Sequence, residues 1–521
     1  MEISSSKPSY TTRPVAWPLI ALLGPILVYA ATSTCGPGVT GDSLRYLSTA
    51  QNIRDGFGIV DYALQPLLSW PPLYSFVLAS GSLLVHDVFV FGWILNALLF
   101  GLNIFLAGKL AASLLPEFAP GPMLVLLVVL SSNSVLRLHT SIGSDALFLS
   151  LVLSFLLLST RFLTTGHKPS LAWALGLAAC AGLVKYPALS LALIGGAVIL
   201  RFYLQRKQIV RGFILGLGFT ALASLPLAAW VFFHNYLQHG SMFGERISTL
   251  PLDNLYITLE KMLYWFIPYS IVGRTGPVLL LLGLIILACL IFRPVTWKNM
   301  ARQLTSESFF ASVLFFVLYF LMMIFLIVYA EHKDYRDDRL HILLFIPLLY
   351  FLLALFNAAE LRWKPSLPVA KFLTINLLVI LWLAYPLNNT FKYVRASLGH
   401  GELAGNLYNT LAINQSDIIT YLRANPLPTA ATFYSNHEGA VWFYTRHITY
   451  AMPQGSRTDD TPGEVKKALA AYQDWPPTAG YIIWLNLDFK LHIIHPKDLG
   501  HLAKIKPVFI GEQGAIYQVK P

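Results

Sequence analysis

Apolar segments of about 20 residues, the length at which a helix crosses a bilayer, recur from residue 15 to residue 387. Eleven spans are predicted, at residues 15–33, 89–114, 119–136, 145–162, 170–184, 187–204, 211–234, 272–292, 309–329, 340–358 and 368–387. Only 12% of the residues are charged, whereas ordinary soluble domains contain about 25%. The chain is therefore predicted to be a polytopic α-helical membrane protein, and a disordered chain or a disulfide-stapled secreted scaffold is excluded.

A twelfth apolar segment, residues 71–85, is short and begins with two prolines. Its placement is decided by charge, because Lys and Arg accumulate in cytoplasmic loops. With eleven spans and a cytoplasmic N-terminus, the basic clusters at residues 201–211 and 293–302 lie inside, whereas a twelfth span would place them outside. We therefore predict an interfacial helix at 71–85, and a chain that lies on the outer side after residue 387.

The composition changes near residue 390, after which charged residues become more frequent and short apolar runs alternate with helical stretches. Residues 1–390 are predicted to form the transmembrane module, with a first outer loop at 34–88, and residues 391–521 an extracytoplasmic α/β domain. Its predicted elements are a helix at 404–423, a strand at 432–435, a helix at 438–445, a strand at 448–451, a helix at 464–472, a strand at 481–485 and a hairpin at 508–519.

The formal charge of +11 does not indicate a nucleic-acid partner. A nucleic-acid groove needs clustered Lys and Arg interleaved with aromatic residues, whereas the basic residues here lie between apolar spans. The first apolar segment is too long for a signal-peptide core and is interpreted as an uncleaved span. The protein is thus predicted to be a multi-pass protein of the plasma (inner) membrane, surrounded by membrane lipids.

The first outer loop contains an acid at the start of a predicted helix. A helix is predicted from Ser43 to Arg54, which would place Asp42 at its N-cap. One interpretation is that the Asp42 carboxylate satisfies the first free N–H groups of this helix. The other interpretation is that Asp42 is catalytic, and the residues alone do not decide between the two.

The run of Asp42, Tyr46, Ala50 and Gly56, followed by Pro71-Pro72-Leu73-Tyr74, resembles the first periplasmic loop of a family of GT-C fold glycosyltransferases. These are enzymes of the protein mannosyltransferase and aminoarabinose transferase type, which use polyprenyl-phosphate sugars. In that family the loop acid carries the chemistry. The resemblance therefore implies a GT-C fold, a polyprenyl-phosphate sugar donor, a lipid, glycan or protein acceptor on the outer face, and Asp42 as the general base.

Further segments resemble the same family in the same order along the chain. Residues 133–145 resemble its second outer loop, which implies a catalytic Asp145, although Asp145 also suits the N-cap of the next span. Lys185-Tyr186-Pro187 resembles the Lys-x-Pro that ends a Gly-rich family helix, and residues 230–245 and 331–339 resemble later segments. Within the matched segments, the predicted substrate-binding residues are Tyr46, Tyr74 and His139.

Transfer from a lipid phosphate requires positively charged side chains beside the leaving phosphate, and three residues are predicted to supply them. They are Lys185, Arg336 and Arg339. For the two arginines, the alternative is a solvated loop whose charge is balanced by neighbouring aspartates. Lys185 has no acid adjacent in sequence, and an unpaired cation near the bilayer is costly unless it meets an anion. We therefore rank Lys185 first as a phosphate ligand.

No obligate cofactor is predicted. The thirteen histidines show no His-Glu-x-x-His pattern, and paired Cys-x-x-Cys is absent from the sequence, so a zinc site is not expected. Asp42 and Asp145 sharing Mg²⁺ or Mn²⁺ is an alternative. It is disfavoured because Ser43 and Leu44 stand where related oligosaccharyltransferases carry a double-acid motif. A metal-independent mechanism is favoured.

Two alternatives to an integral-membrane glycosyltransferase are a membrane transporter or lipid flippase and a catalytically inactive scaffold. A membrane transporter or lipid flippase would be expected to have broken helices, pseudo-symmetric halves and ionisable groups in mid-span. The predicted spans contain almost no such groups. A catalytically inactive scaffold is compatible with the sequence and stays open as an alternative.

Overall fold

The computed structural model describes residues 16–242, 253–268, 294–329, 338–358, 369–401, 403, 406–428, 431–455, 467–487, 493–500 and 502–521. The chain divides into two compact units. The helical unit consists of Met1–Ala31, Leu68–Tyr74 and Ile94–Ala396, and the sheet unit consists of Thr32–Leu67, Ser75–Trp93 and Ser397–Pro521. The sheet unit therefore combines most of the predicted outer loop 34–88 with the C-terminal residues.

A helix occupies each predicted span that lies within the described residues. Among the described residues up to 400, the α-helices and a π-helix are α1 (Ala16–Thr32), α2 (Gly41–Arg54), α3 (Leu73–Val85), α4 (Val88–Leu114), α5 (Gly121–Ser131), α6 (Asn133–Thr140), α7 (Asp145–Thr165), α8 (Lys168–Gly182), α9 (Leu189–Leu204), α10 (Ile209–Ala229), the π-helix (Trp230–Leu237), α11 (Asp253–Tyr264), α12 (Pro294–Leu304), α13 (Glu307–Tyr329), α14 (Phe345–Ala358) and α15 (Val369–His400). The predicted span 272–292 lies outside the described residues. Among those described, five helices are long and apolar enough to cross a membrane, or six if α5 and α6 form one bent span. A largely helical fold is confirmed, whereas the count of eleven crossings stays a prediction.

The predicted span 119–136 is not one continuous helix. α6 starts two residues after the end of α5, and the two axes are bent by 57°. Ser132 between them has ψ 112°, and its hydroxyl accepts a hydrogen bond from the Val135 backbone N–H as the N-cap of α6. Serine is a preferred N-cap residue because it satisfies an N–H that has no partner within the helix. A membrane span at 119–136 stays a prediction, and its helix is broken at Ser132.

The predicted outer loop 34–88 contains a helix, α3, that is too short to cross the bilayer. α3 has 13 residues. At 1.5 Å per residue this is about 20 Å, against a hydrocarbon core of about 30 Å. Its placement at the membrane interface stays a prediction that this length supports.

Helices α9 and α10 pack so closely that their backbones are in direct contact. A Cβ atom on Gly196 would lie 2.9 Å from the Gly216 carbonyl oxygen, and one on Gly216 would lie 2.7 Å from the Gly196 carbonyl oxygen. Small residues permit such contacts between membrane helices, whose association depends on close packing.

Gly216→Ala is expected to lower the thermal stability of the protein, because the added methyl group must separate the two helices. Overpacking of this kind typically costs about 1–3 kcal/mol. Gly218→Ala is the matched control on the same helix, since a Cβ there meets nothing within 4 Å. We expect it to leave stability unchanged or to raise it by up to about 1 kcal/mol. Thermal unfolding of both variants in detergent measures the difference, and equal Tm values would contradict the packing.

The sheet unit contains a five-stranded sheet of order β2-β1-β3-β5-β4. The strands are β1 (Thr432–Ser435), β2 (Thr449–Ala451), β3 (Gly480–Leu485), β4 (Lys504–Ile510) and β5 (Gly514–Lys520). β1 pairs in parallel with β2 and β3, whereas β5 pairs antiparallel with β3 and β4. The predicted strands and the predicted hairpin are therefore observed, with the hairpin starting four residues earlier than expected.

The helices of the C-terminal segment are α16 (Leu411–Asn414), α17 (Asp417–Ala424) and α18 (Glu438–Thr445), with 3₁₀ turns at Ala470–Tyr472 and Pro496–Leu499. α18 has the predicted bounds. The prediction of one helix at 404–423 is wrong, because the first helix ends at Asn414 and Ser416 caps the next by accepting a hydrogen bond from the Ile419 N–H.

α2 packs against α18 within the sheet unit. A Cβ on Gly439 would lie 2.5 Å from Leu44 Cδ1 and 3.2 Å from Tyr62 Cε1, so the contact requires glycine. This packing fixes the helix that carries Asp42 against the C-terminal segment.

Candidate active site

Asp42 lies in the first turn of α2 but is not its N-cap, so the predicted capping role is wrong. The N-cap is Thr40, whose hydroxyl accepts a hydrogen bond from the Ser43 backbone N–H at 3.1 Å. The Ser43 hydroxyl in turn accepts from the Thr40 N–H at 2.9 Å. This reciprocal capping box stabilises the helix start. The Asp42 carboxylate, which is half-buried, is not needed for that task.

An ion pair one turn along α2 ties the helix to the following loop. Arg45 Nη1 donates to Asp61 Oδ2 at 2.9 Å, and Asp61 Oδ1 accepts from the backbone N–H groups of Ala63 and Gln65. Asp61 is only 2% exposed. Burial raises the pKa of Asp61 above its ordinary value, although Arg45 and the two N–H groups oppose that shift. Asp61 therefore serves the structure of the loop.

Two buried tyrosines lie near this ion pair. The Arg45 guanidinium is 5.8 Å from the centroid of the Tyr62 ring. Burial raises the pKa of Tyr62 well above its ordinary value, and burial together with the Glu438 carboxylate raises the pKa of Tyr408 to about 12. Both phenols stay protonated at neutral pH, so neither is suited to be a general base. The role of Asp42 as the general base stays a prediction.

In the helical unit, two predicted site residues form an ion pair. The Lys185 ammonium donates to Asp145 Oδ1. The side chains are 19% and 8% exposed, respectively. Lys185 therefore has an anionic partner that is not adjacent in sequence, because Asp145 lies 40 residues away along the chain. An ammonium has three donors, so Lys185 can hold this carboxylate and still bind a phosphate.

Asp145 is the first residue of α7, and Ser144 at the N-cap makes no side-chain capping hydrogen bond. A buried network holds this helix start in place. His139 Nδ1–H donates to the Val135 carbonyl at 2.7 Å, and Asn103 Nδ2 donates to His139 Nε2 and to the Ala146 carbonyl. The network thus fixes the backbone next to Asp145.

The three residues predicted to bind substrate are all buried. Tyr46 is 2% exposed, and Tyr74 and His139 are 0% exposed. Both ring nitrogens of His139 are engaged within the protein. Their part in substrate binding stays a prediction, and the geometry gives His139 a supporting contact to the start of α7.

The two predicted arginines differ in what the structure describes. Arg336 lies outside the described residues. Arg339 is half-buried in a turn, and the preceding Asp338 accepts a hydrogen bond from the Ser134 hydroxyl at 2.6 Å. The phosphate-binding role of both arginines stays a prediction.

Three buried asparagines lie near these residues, and two of them, Asn96 and Asn103, were not predicted from the sequence. Asn96 and Asn103 lie seven residues apart on α4, and Asn96 donates to the Ser141 carbonyl at 2.6 Å. Asn235 in the π-helix donates to the carbonyl oxygens of Leu68 and Met242. A signal existed, because two asparagines on one face of an apolar span are costly unless they are bonded.

Within the ranges that the structure describes, no group of three or more His, Cys, Asp and Glu side chains is arranged to hold a metal ion. The metal-independent mechanism stays a prediction.

Comparisons with known proteins give matches in structure. No protein-family model matches the chain, and no curated protein matches it in sequence. The chain is similar to ArnT from Cupriavidus metallidurans in the apo state, with 12% identity, a TM-score of 0.59 and coverage of 97% of this chain and 98% of that one. It is equally similar to ArnT bound to undecaprenyl phosphate, with 13% identity, a TM-score of 0.60 and the same coverage.

A third similar structure is the arabinofuranosyltransferase AftD from Mycobacteria, with 13% identity and a TM-score of 0.51. The match covers 98% of this chain and 40% of AftD. The predicted resemblance in fold is therefore confirmed: the chain has the polytopic GT-C fold, shared with ArnT over nearly its whole length.

Proposed function

We propose that this protein is an integral-membrane glycosyltransferase that moves a sugar from a polyprenyl-phosphate donor onto an acceptor at the outer face of the membrane. The observation that carries the proposal is the near end-to-end agreement of fold with ArnT. Undecaprenyl phosphate bound to ArnT supports a polyprenyl phosphate as the carrier.

Asp42 is proposed as the general base. Its carboxylate takes the proton of the acceptor hydroxyl while the acceptor oxygen bonds to the anomeric carbon and the bond from that carbon to the phosphate oxygen breaks. Polyprenyl phosphate leaves with the electron pair, and direct displacement inverts the anomeric centre. Asp42 lies in the first turn of α2, whose N-cap is formed by Thr40 and Ser43 and does not use the Asp42 carboxylate.

Lys185 is proposed to bind the donor phosphate, with Asp145 holding the ammonium in position before the donor arrives. A positioned cation stabilises the negative charge that develops on the leaving phosphate, and such charge stabilisation is a large part of catalysis. Arg336 and Arg339 are proposed as further phosphate ligands.

The proposal is tested with the purified protein in vesicles that contain undecaprenyl-phosphate-linked sugars. We expect release of undecaprenyl phosphate and loss of the sugar from the lipid, detected by mass spectrometry, when an outer-membrane glycolipid extract is added as acceptor. Movement of the intact lipid-linked sugar between leaflets without cleavage of the sugar–phosphate bond would contradict the proposal and favour the flippase.

A further inference from the structure

A pocket of about 300 Å³ opens on the sheet unit. It is formed by the end of α2, the loop after it, the end of α18 and the edge strand β2. Its lining includes Gln51, Asp55, Phe57, Arg446, His447 and Tyr450. A pocket of this volume is at the lower end of the range for small-molecule sites, which suits one or two sugar rings.

Polar groups on one wall are already oriented. The Gln51 amide donates to both oxygens of the Asp55 carboxylate, at 3.0 and 2.9 Å. Each carboxylate oxygen keeps a second lone pair, and the Gln51 carbonyl is a further acceptor. Burial lowers the pKa of His447, so its ring is neutral at pH 7 and both donates and accepts. This combination of hydrogen-bond donors and acceptors is complementary to hydroxyl groups, which also donate and accept hydrogen bonds.

Two aromatic rings reach solvent at the pocket. Phe57 is 57% exposed and lies between Gly56 and Gly58, whose φ angles of 83° and 89° favour glycine. Tyr450 on β2 is 38% exposed. An aromatic face packs well against the C–H face of a sugar ring, because both surfaces are apolar and flat.

Arg446 has a left-handed backbone conformation, which is unfavourable for arginine. It is the C-cap of α18 with φ 60°, where glycine or asparagine is usual. Its guanidinium lies over the Trp442 ring, 4.9 Å from the centroid. A long cation at a strained position of a pocket wall indicates a function for its side chain.

We propose that this pocket binds a neutral saccharide, with the rings of Phe57 and Tyr450 against sugar faces and with Asp55 and Arg446 bonded to hydroxyls. The ligand is neutral because Asp55 and Arg446 contribute opposite charges and no net charge favours an ion. This inference goes beyond the proposed function, since binding requires neither a lipid donor nor sugar transfer.

The test uses the full chain in lipid nanodiscs, which avoids detergents with sugar headgroups. Saturation-transfer difference NMR is recorded with maltotriose, mannotriose and the N-acetylglucosamine trisaccharide. We expect the wild type to bind at least one of these trisaccharides. Arg446→Gly and Tyr450→Ala are each expected to raise the Kd for that trisaccharide by about tenfold or more, which is roughly the free energy of one good polar contact. Arg446→Gly is also expected to raise Tm, because glycine suits the backbone at this position.

Lys207→Gly is the matched control. Lys207 is an exposed cation with φ 58° in the helical unit, so the same change there raises Tm without altering Kd. Asp42→Asn is expected to keep saccharide binding while losing transfer, which separates this inference from the proposed function. Absence of wild-type binding to all three trisaccharides overturns the proposal, and so does unchanged binding by Arg446→Gly and Tyr450→Ala. If glucose 1-phosphate binds more tightly than the trisaccharides, the proposal that the ligand is neutral is overturned.

Discussion

Asp42→Asn is expected to lower kcat for sugar transfer by about 10²–10⁴-fold, the usual contribution of a positioned general base. Asparagine has nearly the shape of aspartate but cannot take a proton from the acceptor hydroxyl. Turnover of an undecaprenyl-phosphate-linked sugar by the purified variant, followed by mass spectrometry, measures the loss.

The fold of this variant should remain intact, because the start of α2 is capped by Thr40 and Ser43 and not by Asp42. Thr40→Ala is a control with the opposite expected pattern, lower stability and retained activity. Loss of the N-cap costs about 1 kcal/mol and should lower Tm, while most of the transfer activity remains. A folded Asp42→Asn protein that turns over at the wild-type rate would remove Asp42 from the mechanism.

Lys185→Ala is expected to have the largest effect on stability. It leaves the Asp145 carboxylate, which is 8% exposed, without its cation. Breaking a buried ion pair from one side typically costs about 3–5 kcal/mol. If Lys185→Ala binds the donor less tightly, the cause could therefore be misfolding or the loss of a phosphate contact, and this variant by itself does not distinguish them.

The double variant Asp145→Asn/Lys185→Met separates these two causes. It removes both charges, so most of the stability should return. Its affinity for undecaprenyl phosphate should still fall by about tenfold or more, because a charge-assisted contact to the phosphate is absent. Lys109→Met, which removes an exposed cation of α4, should leave that affinity unchanged. Wild-type affinity in the double variant would assign Lys185 to the fold alone.

Local patterns predicted a large part of the fold. The α18 helix and the β1 strand have the bounds expected from the sequence, since the residues that favour each element are contiguous. The breaks at Ser132 and Ser416 were missed for a related reason. A serine inside an apolar or amphipathic run is compatible with a helix until its hydroxyl caps a new one.

The candidate site was predicted less well. The sequence placed Asp145 and Lys185 among the reactive residues but left them apart, and it ranked Lys185 first on the premise of a missing partner. His139 was assigned to substrate, which stays a prediction, and the hydrogen bond of its ring to Asn103 was not foreseen. The contacts that the sequence left out join segments that are distant along the chain.

The positions of the helices and strands, and the membrane as their environment, were determined by the sequence itself. Hydrophobicity is a property of each segment, and a run of about 20 apolar residues has few stable alternatives to a helix in lipid. Only the tertiary structure decided that Asp145 neutralises Lys185, that Arg45 holds Asp61, and that Asp55 and Arg446 line one pocket. The physical reason is that the energy of a charge or a hydrogen-bonding group depends on which atoms surround it, and packing brings those atoms from elsewhere in the chain.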